Sequence, residues 1–298
     1  MLFAHRCTRS FAFVSLMLAL SGCARDAAPM HDAIADDFGD TLIAGATPRR
    51  IVSLNPTTTE LLFAIGAGSR VVGRTSYDLY PAEVIRVPDL GQGLRPNVEA
   101  VLATQPDLVL LYASADNRDA ARRLRASGVS TAAYKVDRIA DMARVTLLLG
   151  RLTGDVASAR RTVDSVRATL ERVRRQTSRL PHPTVFWPLW ETPLLSVGGG
   201  SFLNELIDIA GGHNIFAELP QPSPAVSFEE LLRRDPDIIL CGPKTRLRLI
   251  ADARWKTLRA VRENHVLVID TMMINGPSAR LGTSARSLAA LLHTGAQF

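Results

Sequence analysis

No run of five or more basic residues occurs in this chain, although Lys and Arg outnumber Asp and Glu by 35 to 29, a formal net charge of +6. The arginines are interleaved with acids, as in Arg233-Arg234-Asp235. The basic stripe that nucleic-acid binding requires is missing, and no nucleic-acid partner is expected. After the first twenty residues, no segment has the length and apolarity of a transmembrane helix. Catalytic signatures are missing too. Gly66-Ala67-Gly68 follows a helical pattern instead of a strand, and its third glycine is misplaced for a dinucleotide fingerprint. Gly198-Gly199-Gly200-Ser201 opens a helix and could hold an anion on free backbone N–H groups, but it lacks the Lys-Ser/Thr ending of a phosphate loop. There is no Gly-x-Ser-x-Gly elbow, and His182, His213, His265 and His293 show no metal-ligand spacing. No enzyme, resident cofactor or protein-held metal is therefore expected; an α/β enzyme working in a cleft is the remote alternative. With 47% hydrophobic and 21% charged residues in 298, what remains is a globular chain with room for one or two cored domains.

Cysteine is scarce, and its placement is informative. Arg6 and Arg9 precede an apolar stretch from Phe11 to Leu20, the layout of a secretory leader and too short to span a bilayer as a mature helix. The stretch ends Leu20-Ser21-Gly22-Cys23, which resembles a bacterial lipobox. The resemblance implies that residues 1–22 are removed, that Cys23 is acylated, and that the protein is secreted across the inner membrane. It would then be held by its lipid, in the periplasm or at the envelope exterior. Cys7 would leave with the leader, Cys241 would remain without a partner, and stability would come from packing alone. Residues 23–48, rich in Ala, Asp and Gly and without clear periodicity, read as a tether.

Folded sequence is expected from Arg49. Ile51-Val52-Ser53-Leu54 reads as a buried strand stopped by Asn55-Pro56, with Thr57 to Thr59 capping a helix over Glu60 to Ala67. Strand and helix alternate to Tyr134, the sign of a parallel α/β sheet. Two echoes then recur in order. Val98-Glu99-Ala100-Val101-Leu102 through Pro106-Asp107-Leu108-Val109-Leu110 matches Phe228-Glu229-Glu230-Leu231-Leu232 through Pro236-Asp237-Ile238-Ile239-Leu240. Glu60-Leu61-Leu62 through Gly66-Ala67-Gly68 pairs with Glu205-Leu206-Ile207 through Gly211-Gly212. The expectation is α/β architecture: two Rossmann-like lobes with parallel central sheets, residues 49–137 and 181–298. Between them lies a helical connector over residues 138–180. Asp155 to Ser178 contains no Gly or Pro and places Val156, Val163, Val166, Leu170 and Val173 at helical spacing, which predicts one long, stiff helix.

The segments Ile51 to Leu62, Val71 to Pro81, Asn97-Val98-Glu99, Gln105-Pro106-Asp107, Ala210 to Phe216 and Gly276 to Leu281 resemble the helical-backbone solute-binding proteins for cobalamin, ferric siderophores and haem. The likeness runs from Arg49 to about His293. It implies a receptor that captures a large metal-containing ligand between two lobes and delivers it to an ABC importer. A cobalt corrinoid is the expected ligand, with a ferric siderophore or haem as the alternative. Carried over position by position, ligand contacts would come from Asn55, Pro56, Tyr77, Gln92, Arg95, Tyr112, Trp190, Ser201, Ser223 and Met273. Tyr77, Tyr112 and Trp190 could stack on a macrocycle; Trp187 alternates inward as core, and Tyr80 closes a turn before Pro81. Tryptophan is common in cobalamin binders of this type at the loops matching Gln92, Ser223 and Met273, and is missing from all three here. For haem, His213 and His265 are poorly placed as axial ligands. Glu99 and Glu229, equivalent in the repeat, would dock on arginines of the two permease subunits. Each also suits the N-terminus of a helix capped by Asn97 or Ser227, and Glu230 would close a capping box with Ser227.

The lipobox is directly testable. Cys23→Ala should leave an unacylated precursor whose leader is not cut after Gly22. Fatty-acid label persisting on the Cys23→Ala protein would refute the anchor.

Overall fold

The chain is described by a computed structural model over residues 33–43, 47–270, 276–296 and 298. Cys23 and Met273 lie outside those residues. The first lobe runs β3 (Ile51–Ser53), α1 (Pro56–Ala64), β4 (Val71–Gly73), α2 (Val98–Ala103), β5 (Leu108–Tyr112), α3 (Ala115–Ala126) and β6 (Ser130–Tyr134). The second runs β7 (Thr184–Phe186), α6 (Phe202–Ile209), β10 (His213–Asn214), α7 (Phe228–Arg234), β11 (Ile238–Cys241), α8 (Pro243–Ala251), the short α9 (Arg259–Arg262), β12 (Val266–Val268) and α10 (Leu281–Leu292). A hairpin of β8 (Pro188–Glu191) and β9 (Leu194–Ser196) is inserted after β7. The sheets are β4-β3-β5-β6 and β10-β7-β11-β12, both wholly parallel. Numbered within each lobe, both follow the order second, first, third, fourth. The repeat in the sequence is therefore a repeat of topology.

The strands are short, and the central ones, β3, β5 and β11, are almost wholly buried, as parallel strands covered on both faces must be. Helix α1 begins a turn earlier than the threonine run suggested. Asn55 is its cap, accepting the Thr57 N–H at 3.0 Å, and Pro56 occupies the first turn, where a missing N–H costs nothing. The three threonines instead lie buried inside the helix, Thr58 meeting Ser53 Oγ at 2.8 Å.

Two antiparallel-packed helices form the connector: α4 (Ile139–Thr153) and α5 (Val156–Thr177), turned at Gly154 in the left-handed region (φ 78°). At about 1.5 Å per residue α5 is roughly 33 Å long. Val163, Val166, Leu170 and Val173 are its buried face. Gly150 lets the two helices approach, since a Cβ there would lie 2.5 Å from that of Ala159. Side chains from both lobes and both connector helices, among them Leu61, Leu110, Leu149, Leu170, Leu206 and Leu240, belong to one continuous core.

The stretch read as a tether is in part folded. Within it, β1 (Ala33–Ala35) and β2 (Thr41–Ile43) make an antiparallel hairpin. Asp36 closes its turn by accepting the N–H groups of Phe38 and Asp40, both at 2.9 Å, and takes the Ala133 N–H at 3.0 Å on its other oxygen. Asp37 donates its N–H to Ala133 O and pairs with Arg144 at 2.9 Å, while Ile34 is buried. The hairpin thereby covers the outer edge of β6, which would otherwise stand unpaired. No helix among the described residues is long and apolar enough to cross a membrane.

The lobes are clasped by two crossed ion pairs. Glu60 on α1 receives Arg280, the residue before α10, through Nε–Oε2 at 2.9 Å and Nη2–Oε1 at 2.7 Å. Glu205 on α6 receives Arg138, the residue before α4, at 2.5 Å, and also the Ile139 N–H at 2.8 Å. In each case the first helix of one lobe meets the start of the helix after the last strand of the other. Only 17% and 9% of the Arg280 and Glu60 side chains are exposed, so cutting one partner strands a buried charge. Arg280→Ala should destabilise the protein by about 3–5 kcal/mol, and Glu60→Gln/Arg280→Met together by clearly less. Thermal melts of the two variants test this; equal losses would show that the stranded charge is not what destabilises Arg280→Ala.

Candidate ligand-binding cleft

Between the lobes, at the carboxyl ends of the strands where open α/β sheets place their ligands, lies an open cleft of 590 Å³. From the first lobe it takes the start of α1 (Asn55, Pro56), the loop after β4 (Thr75, Tyr77), the loop Gln92–Leu94, Tyr112 at the end of β5, and Val136 and Asp137 beyond β6. The second lobe contributes Leu189 of β8, Ser201, Phe202 and Leu203 at the start of α6, and Pro222, Ser223, Gly276 and Pro277.

Seven residues expected to contact ligand are thus brought together: Asn55, Pro56, Tyr77, Gln92, Tyr112, Ser201 and Ser223. Two are not. Arg95 adopts a left-handed backbone (φ 54°) with its N–H on Asn117 Oδ1, and its guanidinium turns to Asp116 on α3 at 2.9 and 3.0 Å. Trp190 alternates with Leu189 along β8, so the leucine faces the cleft and the indole faces solvent, donating to Thr192 O at 2.9 Å. Trp187 is in the core as expected. Val136, Asp137, Phe202 and Leu203 were missed. The signal for the first two was the register that pairs Tyr112 with Tyr134, which carries the chain beyond β6 to the same end of the sheet. For Phe202 and Leu203 it was their place just behind the cap Ser201.

Apolar side chains dominate the wall, and Tyr77 and Leu94 stand 55% and 51% exposed beside it, area that a ligand could cover. The two helix starts facing the cleft keep part of their hydrogen bonding at home: Asn55 accepts from Thr57, and Ser201 Oγ accepts the Leu203 N–H at 3.1 Å. Tyr112 donates its hydroxyl to Asp137 Oδ1 at 2.8 Å. Burial and that carboxylate push the phenol well above its ordinary pKa, so it stays protonated.

The Tyr77 loop is pinned by Asp78, which accepts the Thr75 N–H at 2.8 Å and the Thr59 hydroxyl at 3.0 Å. Glu99 and Glu229 both project from first helical turns, 72% and 83% exposed at their side chains, against Arg123 at 2.6 Å and Arg254 at 3.8 Å. Asn97 and Ser227 cap their helices, accepting the N–H groups of Ala100 at 3.1 Å and Glu230 at 3.0 Å. The capping box at Ser227 is only half made, because the Glu230 carboxylate turns instead to Arg233 and Arg234.

A cleft between two lobes of one topology, held over a stiff helical spine, defines a two-lobed ligand receptor. The chain belongs to the periplasmic binding protein family, matched over residues 51–272. The vitamin B12-binding protein of Vibrio parahaemolyticus is 26% identical over 248 residues, 82% of this chain and 89% of that protein. The cobalamin-binding protein of Halobacterium salinarum is 30% identical over 278 residues, 86% of this chain and 73% of its own. Among solved structures, the periplasmic vitamin B12 binding protein of Vibrio cholerae matches with a TM-score of 0.70 at 24% identity, covering 82% of this chain and 96% of that one.

Burial raises the Asp78 carboxyl from 3.8 to about 6, against its hydrogen bonds and the Arg74 guanidinium. The folded state therefore binds this proton more tightly than the unfolded state. Asp78 favours the fold fully below about pH 4, and that contribution is lost as pH rises through about 6. The melting temperature of the wild type minus that of Asp78→Asn should fall over this range. A difference independent of pH would refute the assignment.

Proposed function

We propose that this protein is the substrate-binding component of an ABC importer, taking up a cobalt corrinoid of the cobalamin type in the inter-lobe cleft. The cleft itself carries the reading. Tyr77, Leu94, Leu189, Phe202 and Leu203 offer apolar area for the face of a macrocycle, and Asn55, Gln92, Tyr112 and Ser223 offer polar groups for its edge. The cobalamin-binding names of the relatives support the same ligand. Lipid on Cys23 holds the receptor at the membrane in this reading. Glu99 and Glu229, alike in the repeat and exposed on both lobes, meet arginines of a permease dimer and leave their own Arg123 and Arg254 to do so.

Titration of the delipidated protein with cyanocobalamin should give saturable binding. Tyr77→Ala should weaken it by about 0.5–1.5 kcal/mol beyond the loss of contact area. Glu99→Lys/Glu229→Lys should abolish uptake in cells while leaving that affinity unchanged, since like charges would face each other at the permease. Absence of corrinoid binding beside saturable binding of haemin or a ferric siderophore would replace the ligand. Normal uptake in the double variant would return the glutamates to helix-terminus duty.

A further inference from the structure

Among the described residues lining the cleft, one side chain is charged, and it is Asp137. The bases nearest in sequence are already committed: Arg138 to Glu205 across the lobes, and Arg144 to Asp37 and Asp141. Among the described residues the one ion-pair partner of Asp137 is Lys135, Nζ 3.4 Å from Oδ2, with 60% of its side chain in solvent, where such a pair is weak. Asp137 is held from both lobes. Its N–H donates to Asp141 Oδ2 at 3.2 Å, and its carbonyl accepts the Phe202 N–H at 2.9 Å.

The hydroxyl of Tyr112 is spent on Asp137 Oδ1. What the phenol can still offer a ligand is an oxygen lone pair, and the carboxylate offers only acceptors. Apart from the solvent-facing Lys135 ammonium, the pair can receive hydrogen bonds and give none. A ligand edge bearing N–H groups satisfies it. A ligand carboxylate at the same place brings like charge against Asp137 and leaves both oxygens without donors, two costs of the kind that produce discrimination.

We propose that the Tyr112–Asp137 pair determines which ligands this cleft admits: it accepts primary amides at the ligand's edge and rejects carboxylates there. The proposal rests on the cleft being the ligand site and narrows the ligand class to amidated macrocycles.

Asp137→Asn keeps an acceptor for the Tyr112 hydroxyl while removing the charge, so the geometry survives the test. Cyanocobalamin is compared with its singly hydrolysed side-chain carboxylates, one isomer at a time. In the wild type at least one isomer should bind about tenfold or more weaker than the parent. Asp137→Asn should recover most of that loss, and Lys135→Gln, which strips the flanking base from an exposed position, should widen the gap. Equal binding of every isomer to the wild type, or a gap that neither variant moves, overturns the proposal. If no corrinoid binds, the ligand assigned above fails by itself, and the same comparison is made between haemin and its bis-amide. A wild-type preference for the bis-amide that Asp137→Asn erases upholds the proposal; equal binding, or binding of neither, overturns it.

Discussion

The crossed ion pairs between the lobes are the constraint on which the rest of the structure depends. Each joins a glutamate in the first helix of one lobe to the arginine that precedes the helix after the last strand of the other. Glu60 and Glu205 stand close behind the caps Asn55 and Ser201, so the pairs fix the two helix starts that wall the cleft. Neighbouring contacts tighten the same seam. Phe202 donates its N–H to Asp137 O at 2.9 Å, and the Arg280 guanidinium lies 4.2 Å from the centre of the Tyr80 ring. At Gly276 a Cβ would meet Thr57 Oγ1 at 2.0 Å, so only glycine allows that loop to close against α1. A hinge-bending receptor would keep its inter-lobe contacts few and breakable. Here charge, close approach and a continuous core oppose opening, so the cleft is largely formed before a ligand arrives and little ordering is left to oppose binding.

How much of this was legible in the sequence follows from the range of each interaction. The repeat and the long helix rest on local pattern: a Pro-Asp turn before a β-branched strand, and valines at helical spacing with no Gly or Pro. Both are found, except that Val156, read as part of the helix's apolar face, is exposed, and the repeat extends further than its two echoes, to the strand order of both sheets. The equivalence of Glu60 and Glu205 was visible as well. Their pairing with arginines was not, because those lie 220 and 67 residues away: Arg280 stands in a segment that carries the family resemblance, but nothing local names its partner, and nothing distinguishes Arg138 from other arginines of the chain.

Where the site was misread, the cause is direction. Position in a loop locates a side chain near the cleft without saying which way it points. Arg95 has Asn117 to hold its backbone in the left-handed region and Asp116 within reach, and both draw it towards α3. Trp190 stands one residue from Leu189, and on a strand one residue is the difference between two faces. The hairpin at Ala33–Ala35 and Thr41–Ile43 escaped for another reason. Two three-residue strands give too short an alternation to register, and what orders them is an edge of β6, about a hundred residues downstream.

The same economy explains why a cleft with so little charge sits in a chain with 35 basic residues. Two of the arginines beside it are paired across the seam, Arg280 with Glu60 and Arg138 with Glu205. Each pair removes a base that could have attracted an anion and uses it to hold a wall in place. Among the described residues, what is left lining the cleft is apolar area, a few neutral polar groups and the Asp137 carboxylate. Rigidity and the scarcity of free bases at the cleft therefore have one origin. The arginines that make the cleft stiff are, by being so used, unavailable to make it basic.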